Sequence, residues 1–274
     1  MKNFIQRTIT GIIYVIIIVA SILLHPFAFA FVFAGITAIG LAEFYNLAIT
    51  EQIHPWKYTG IFTGVALFIA NFLYASGYIQ LSLLISLVLL SFTIFFLGLF
   101  RWREHIILNT GVTFLGILYI AFPISLLAYL CYPAKESSDY TYEILLGYLI
   151  ILWLYDTGAY MTGSLLGKNK IIEKVSPGKT WEGLIGGLII ATGTALILAG
   201  IFKIITRTDW LIITLITVST GTLGDLVESG IKRNASIKDS GRLLPGHGGI
   251  LDRIDSVLLS VPFVLLYLLL RNYY

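Results

Sequence analysis

The chain has 274 residues, of which 57% are hydrophobic and only 12% charged, against about 25% charged in an average soluble domain. That much apolar surface cannot be hidden from water by a soluble fold of this size, and the single cysteine, Cys131, excludes an intramolecular disulfide and a multi-cysteine metal site. The formal net charge of +3 matters less than where the charges lie.

Lipid supplies no hydrogen-bond partner, so a spanning segment is a helix or a strand of a closed barrel. The apolar runs here are roughly 18–25 residues long, which is helix length rather than barrel-strand length. In chain order the candidate spans lie near 9–24, 27–49, 58–76, 79–100, 107–131, 143–166, 183–205, 210–228 and 253–270. The expected fold class is all-α, a polytopic integral membrane protein with about nine transmembrane helices. The first run follows Lys2 and Arg7 and has the look of a signal peptide, but the spans behind it favour an uncleaved first helix. Pro123 and Pro262 mark expected kinks, and Cys131 reads as a packing residue.

Cytosolic loops of membrane proteins collect Lys and Arg. With a cytosolic N-terminus, all but four of the 18 basic residues fall on the cytosolic side, the four being Lys135, Lys203, Arg207 and Arg271. The N-terminus is therefore expected inside and the C-terminus outside. By character the chain divides into 1–135, N-terminal helices of structural, dimer-forming or lipid-facing type, and 136–274, which carries a cytosol-facing site. Glu43 is the clear internal charge of the first part. The second places Asp156, Asp225, Glu228, Asp252 and Asp255 in or beside spans. Ionisable groups at membrane depth are costly and mark wet cavities or partners, and all five lie toward the cytosolic helix ends, where they are expected to converge on one pocket.

Three upstream segments carry polar groups. WLYDTGAY at 153–160 puts Asp156 inside an apolar span; a buried aspartate can equally hydrogen-bond between helices. SPGKTWEG at 176–183 reads as a helix start with Ser176 as N-cap and Pro177 at the first position. Anions favour such an end, and Lys179 would reinforce it. It is not a P-loop, because position 173, where that pattern needs glycine, is Glu173. GTLGDLVES at 221–229 closes the eighth span, with Asp225 and Glu228 three apart on one helix face. His25, His54 and His105 read as interfacial, the scattered Tyr and Trp at span ends as aromatic belts, and Gly183, Gly186 and Gly187 as small residues that let helices approach.

The most informative stretch is SGIKRNASIKDSGRLLPGHGGILDRIDS at 229–256. Lys232, Arg233, Lys238 and Arg242 precede a flexible turn around His247, and a helix start then carries Asp252, Arg253 and Asp255. Asp252 and Asp255 share a face and repel unless a cation relieves them. Oxygen ligands of this kind suit Mg²⁺ shared with substrate phosphates, and glycines beside His247 let backbone approach a phosphate. A basic juxtamembrane loop touching anionic lipid is the plainer alternative. It accounts for the lysines but not for the interleaved aspartates, histidine and glycines.

This stretch resembles the signature of the phosphatidate cytidylyltransferase (CDP-diacylglycerol synthase) family. The matching residues are Ser229, Lys232, Arg233, Lys238, Asp239, Gly241, His247, Gly248, Gly249, Asp252, Arg253 and Asp255. The resemblance implies transfer of a cytidylyl group from CTP to phosphatidic acid, with Asp225 and Asp252 holding catalytic Mg²⁺. It makes Asp156, Lys179 and His247 further catalytic groups, and Lys232, Arg233, Lys238, Asp239, Arg253 and Glu182 substrate-binding groups. Glu43, Glu228 and Asp255 are candidates either for the site or for orienting it through pairs with Arg253 or Lys232. The family also implies a second, monovalent cation such as K⁺, a homodimer, and residence in the cell (inner) membrane with the active site facing the cytoplasm. No nucleic-acid partner is expected. Two other readings stay open: a CTP-dependent lipid kinase, which would release CDP, and a transporter or channel, against which stands the clustering of charge at one membrane face.

Overall fold

A computed structural model describes residues 2–90, 105–133, 139–237, 239–241 and 248–273. Among these residues the architecture is helical, with one isolated antiparallel bridge, Lys170 to Thr180. In chain order the helices are α1 (Lys2–Leu24), α2 (Pro26–Ala48), α3 (Lys57–Ala75), α4 (Leu81–Leu90), α5 (Ile106–Gly116), α6 (Phe122–Leu126), α7 (Glu143–Leu166), α8 (Trp181–Ile201), α9 (Arg207–Asn234) and α10 (Leu251–Leu270). Among the described residues seven helical segments are long and apolar enough to cross a membrane: α2, α3, Ile106–Cys131, α7, α8, α9 and α10. The first expected span appears as the shorter apolar stretch Thr8–Leu24 of α1. Of the fourth, residues 91–100 lie outside the described residues.

The chain forms two compact units, one of 1–140 with 239–254 and one of 141–238 with 255–274. In the first, α2 packs on α1 and α3. Its centre is aromatic: the rings of Phe29 and Phe33 meet at a tilt with centroids 4.6 Å apart, and Phe68 and Phe72 close around Phe29. Tyr45 sits in a slot left by Gly60 and Gly116, where a Cβ on either would overlap its ring. The Tyr45 hydroxyl donates to the carbonyl of Thr113 at 2.8 Å, while Asn109 and Thr113 accept the backbone N–H groups of His54 and Trp56. Those bonds tie the α2–α3 connection to α5 and satisfy backbone that lipid could not. Pro123 has no N–H and its ring crowds the carbonyl of Tyr119 four residues back; the helix widens just there into a π-turn, Ile117–Ala121. Cys131 is fully buried, in keeping with a packing role.

In the second unit α7 and α8 are tightly opposed. Helices in lipid associate through close packing of small residues rather than through the hydrophobic effect. A Cβ at Gly183 would meet the Ala159 carbonyl, one at Gly186 would meet Thr162, and one at Gly187 would meet Tyr155 and Ala159. The expected role of these glycines is thus seen directly. Tyr148 and Ser260 pair their hydroxyls at 2.5 Å, as do Tyr155 and Thr222. At the N-terminus of α9, Asp209 forms a capping box with Thr206. The same carboxylate also accepts from Tyr267 and Tyr273 at 2.6 Å and from Arg271 at 3.0 Å.

Two expected element boundaries move. The eighth span does not stop at 228: α9 continues to Asn234, so Lys232 and Arg233 stand on its last turn rather than in a loop. Cations suit the negative end of the helix dipole, and Lys232 pairs with Glu228 one turn back at 2.5 Å. The second correction concerns Ser176, which is not an N-cap. Backbone bonds from Ile171 to Lys179 and from Trp181 to Asn169, flanking the bridge, hold 176–179 in a turn. Helix α8 starts at Trp181, five residues beyond Ser176, capped by Thr180, whose hydroxyl accepts from Gly183 N–H at 3.1 Å.

Candidate functional site

The signature segment is built upon an acid from far upstream. Glu43, buried near the end of α2, points its carboxylate at the N-terminus of α10. Its oxygens accept the backbone N–H groups of Ile250 at 3.1 Å and Leu251 at 2.9 Å, and the Ser240 hydroxyl at 3.2 Å. The first N–H groups of a helix have no partner within it and carry partial positive charge. Glu43 therefore acts as a cap supplied 207 residues away. Ser240 joins this cap to Asp252: its backbone N–H and its hydroxyl lie 3.0 Å from Asp252 Oδ2, which also accepts Gly249 N–H at 2.8 Å. One oxygen of Asp252 is thus fixed by neighbouring backbone.

This cradle accounts for three signature glycines. A Cβ on Gly241 would strike Glu43, and one on Gly249 would strike both Glu43 and Ser240. Gly248 has a φ of +81° and faces Asp252 and Asp239, so a side chain there would be both strained and obstructed. Close approach to a phosphate was the expectation; close approach to internal carboxylates is what the geometry displays.

The second unit carries the other polar groups. Lys179, in the turn before α8, forms an ion pair with Asp225 of α9, both side chains being partly exposed. Ser229, one turn on, lies 3.2 Å from the other Asp225 oxygen. Asp255 has Asp225, Glu228 and Asp156 as its acidic electrostatic neighbours, so four of the five expected acids gather in this unit. Asp156 is exposed on α7. The fifth acid, Asp252, belongs to the first unit with Glu43. Arg233 reaches the carbonyl of Val175 at 3.5 Å, drawing the last turn of α9 toward the 172–179 turn. Glu182 accepts the backbone N–H groups of Lys168 and Asn169 and the Asn169 amide, which fixes the connection from α7 to α8. Arg253 and Asp239 are exposed. Lys238, Arg242 and His247 lie outside the described residues.

Among the described residues no three His, Cys, Asp or Glu side chains sit together at metal-ligand spacing. Mg²⁺ does not require that. It is commonly held by one or two carboxylates, with substrate phosphates and water completing its shell. Asp225 in the second unit and Asp252 in the first each present partly accessible hard oxygens of the kind that ion takes.

Ser240 is a partner of Glu43 and Asp252 that sequence reasoning passed over, since it occupies an unremarked position between Asp239 and Gly241. Thr180, the N-cap of α8, was passed over as well, and its signal was a hydroxyl side chain just before an apolar run.

The sequence profile described as the cytidylyltransferase family matches residues 5–271. The chain belongs to that family. A phosphatidate cytidylyltransferase of Staphylococcus haemolyticus is 38% identical over 267 residues, covering 94% of this chain and 96% of the relative. One of Staphylococcus aureus (strain COL) is 36% identical with the same coverage. One of Haemophilus influenzae is 33% identical over 297 aligned residues, again covering 94% and 96%. As a cytidylyltransferase the chain must manage a nucleotide's phosphate charge, and the match takes in both the Glu43–Ser240–Asp252 cradle and the Lys179–Asp225 pair.

Proposed function

We infer that the chain transfers the cytidylyl group of CTP to phosphatidic acid, giving CDP-diacylglycerol and pyrophosphate for phospholipid synthesis. The observation that carries this is the near full-length match, at 33–38% identity, to relatives that bear this activity in their names. The signature at 229–256 lies within it.

In this reaction a phosphatidate oxygen attacks the α-phosphorus of CTP, a new P–O bond forms, and the bond to the β-phosphate bridging oxygen breaks to release pyrophosphate. The attacking oxygen is already anionic, so no protein nucleophile is needed. The protein must bring two anions together and stabilise the charge on the leaving group, a task for positioning and electrostatics. Lys179, Lys232, Arg233, Lys238 and Arg253 are assigned to phosphate contacts. Asp156 is assigned to the nucleotide site and His247 to hydrogen-bond donation or proton carriage. Lys179 is held beside Asp225 by their ion pair, so a phosphate competes with a carboxylate for it. The fixed oxygen of Asp252 leaves the rest of that carboxylate oriented without further cost when a ligand binds. Asp225 and Asp252 are assigned to Mg²⁺, which when bound supplies charge neutralisation on phosphate oxygens. A monovalent second cation and a homodimer follow from the family resemblance. The bias of basic residues supports an N-terminus inside and a site facing the cytoplasm, and the inner-membrane location follows from the family resemblance.

The test is pyrophosphate release by purified protein given Mg²⁺, CTP and phosphatidic acid. Asp225→Asn and Asp252→Asn should each abolish release while the protein keeps its elution profile in detergent. Retained turnover in either folded variant overturns the metal assignment.

A further inference from the structure

An open-sided apolar groove of about 710 Å³ runs between α1 and α2 in the first unit, within the range of roughly 300–1,000 Å³ typical of ligand sites. Ile13 and Ile17 of α1, Phe31 and Gly35 of α2, Val65 of α3, and Ile250 are among its walls. Of all its lining side chains only those of Thr10 and Tyr14 carry a polar atom. Such a wall has nothing to offer a nucleotide or an ion, and it suits a hydrocarbon chain.

Ile250 decides which hydrocarbon. It is the signature's own residue, its N–H is held by Glu43, and it stands two positions before Asp252. The groove therefore borders the segment to which the phosphate chemistry has been assigned. A phosphatidate joins a phosphate to acyl chains through one glycerol, so a head group at Asp252 delivers a chain to this wall. We propose that the α1–α2 groove is the binding site for one acyl chain of the lipid substrate. This rests on the phosphatidate reading above. The other chain stays in the bilayer, and the groove sets how strongly the enzyme prefers long chains over short ones.

Gly35 gives a clean test. It lines the groove, and a Cβ added to it meets no heavy atom within 4 Å. A side chain there fills the groove without disturbing α2, and glycine replacement favours the helix. The series Gly35→Ala, Gly35→Leu and Gly35→Phe, made in the full chain, should raise KM for dioleoyl phosphatidate progressively, by about tenfold at Phe. KM for CTP and the unfolding temperature should hold, and KM for dihexanoyl phosphatidate, whose chains are too short to use the groove, should stay within about twofold of the starting protein. An unchanged KM for dioleoyl phosphatidate in folded Gly35→Phe overturns the proposal, as does an equal rise for both lipids. A second measurement does not depend on turnover. Phosphatidate carrying a diazirine at the acyl terminus should label α1 and α2 at the groove, and excess phosphatidate should compete while phosphatidylcholine does not. Equal competition by both lipids overturns the proposal. If the starting protein releases no pyrophosphate, the activity reading fails, and this labelling still decides the groove.

Discussion

Replacing Glu43 by alanine removes the acceptor of two backbone hydrogen bonds, from Ile250 N–H at 3.1 Å and Leu251 N–H at 2.9 Å, and one of the two carboxylates, with Asp252, that share the Ser240 hydroxyl proton. A hydrogen bond to a charged group is worth about 1.5–3 kcal/mol net, and a lost N-cap costs about 0.5–2 kcal/mol. Leu251 is fully buried, so its N–H does not recover a partner from water. Against this stands the relief of no longer burying a carboxylate. The balance is a loss of about 3–5 kcal/mol, or a fall in unfolding temperature on the order of 10 °C. Glu43→Gln keeps one acceptor oxygen and presents an NH₂ where the second stood, and should lose about half as much. The assay is thermal unfolding in detergent with hydrogen exchange across 248–254, where faster exchange at Ile250 and Leu251 is expected in both variants, more in Glu43→Ala. An alanine variant that unfolds with the starting protein and keeps those amides protected would refute the capping argument.

Asp209 gathers Tyr267, Arg271 and Tyr273 as well as its own cap residue Thr206. Asp209→Ala should destabilise the second unit by about 3–5 kcal/mol, because it strands partners arranged around a buried charge; thermal unfolding measures it, and turnover of the still-folded fraction should persist. The Lys179–Asp225 pair is partly exposed, and such pairs are worth about 0–1 kcal/mol. Lys179→Met should therefore leave the unfolding temperature nearly unchanged while kcat/KM for CTP falls about 100-fold or more, which steady-state kinetics checks.

What could be read from the sequence followed from how local each signal is. The glycines of α8 were legible because a run of small residues in an apolar helix has one main use, and Tyr155, Ala159 and Thr162 fill the space they leave. The acids Asp156, Asp225, Glu228 and Asp255 were legible because lipid makes each of them exceptional. The end of α9 was not, since apolar-run reading stops at Glu228 although the Glu228–Lys232 pair carries the helix on. The start of α8 was misplaced because Ser176-Pro177 satisfies a local start rule, which the backbone pairing of 169–171 with 179–181 overrides. Glu43 stood out as an acid in a span, but its partners lie about two hundred residues on, and no spacing rule connects them. The role of Gly241 and Gly249 was hidden for the same reason.

The most direct measurement of the central claim follows the two ends of the triphosphate separately. Purified protein is given phosphatidic acid, Mg²⁺ and CTP labelled at either the α- or the γ-phosphorus. The α-label should enter the lipid phase as CDP-diacylglycerol, and the γ-label should stay in water as pyrophosphate. Transfer of the γ-label to lipid with release of CDP, or label in neither product, would contradict the assignment.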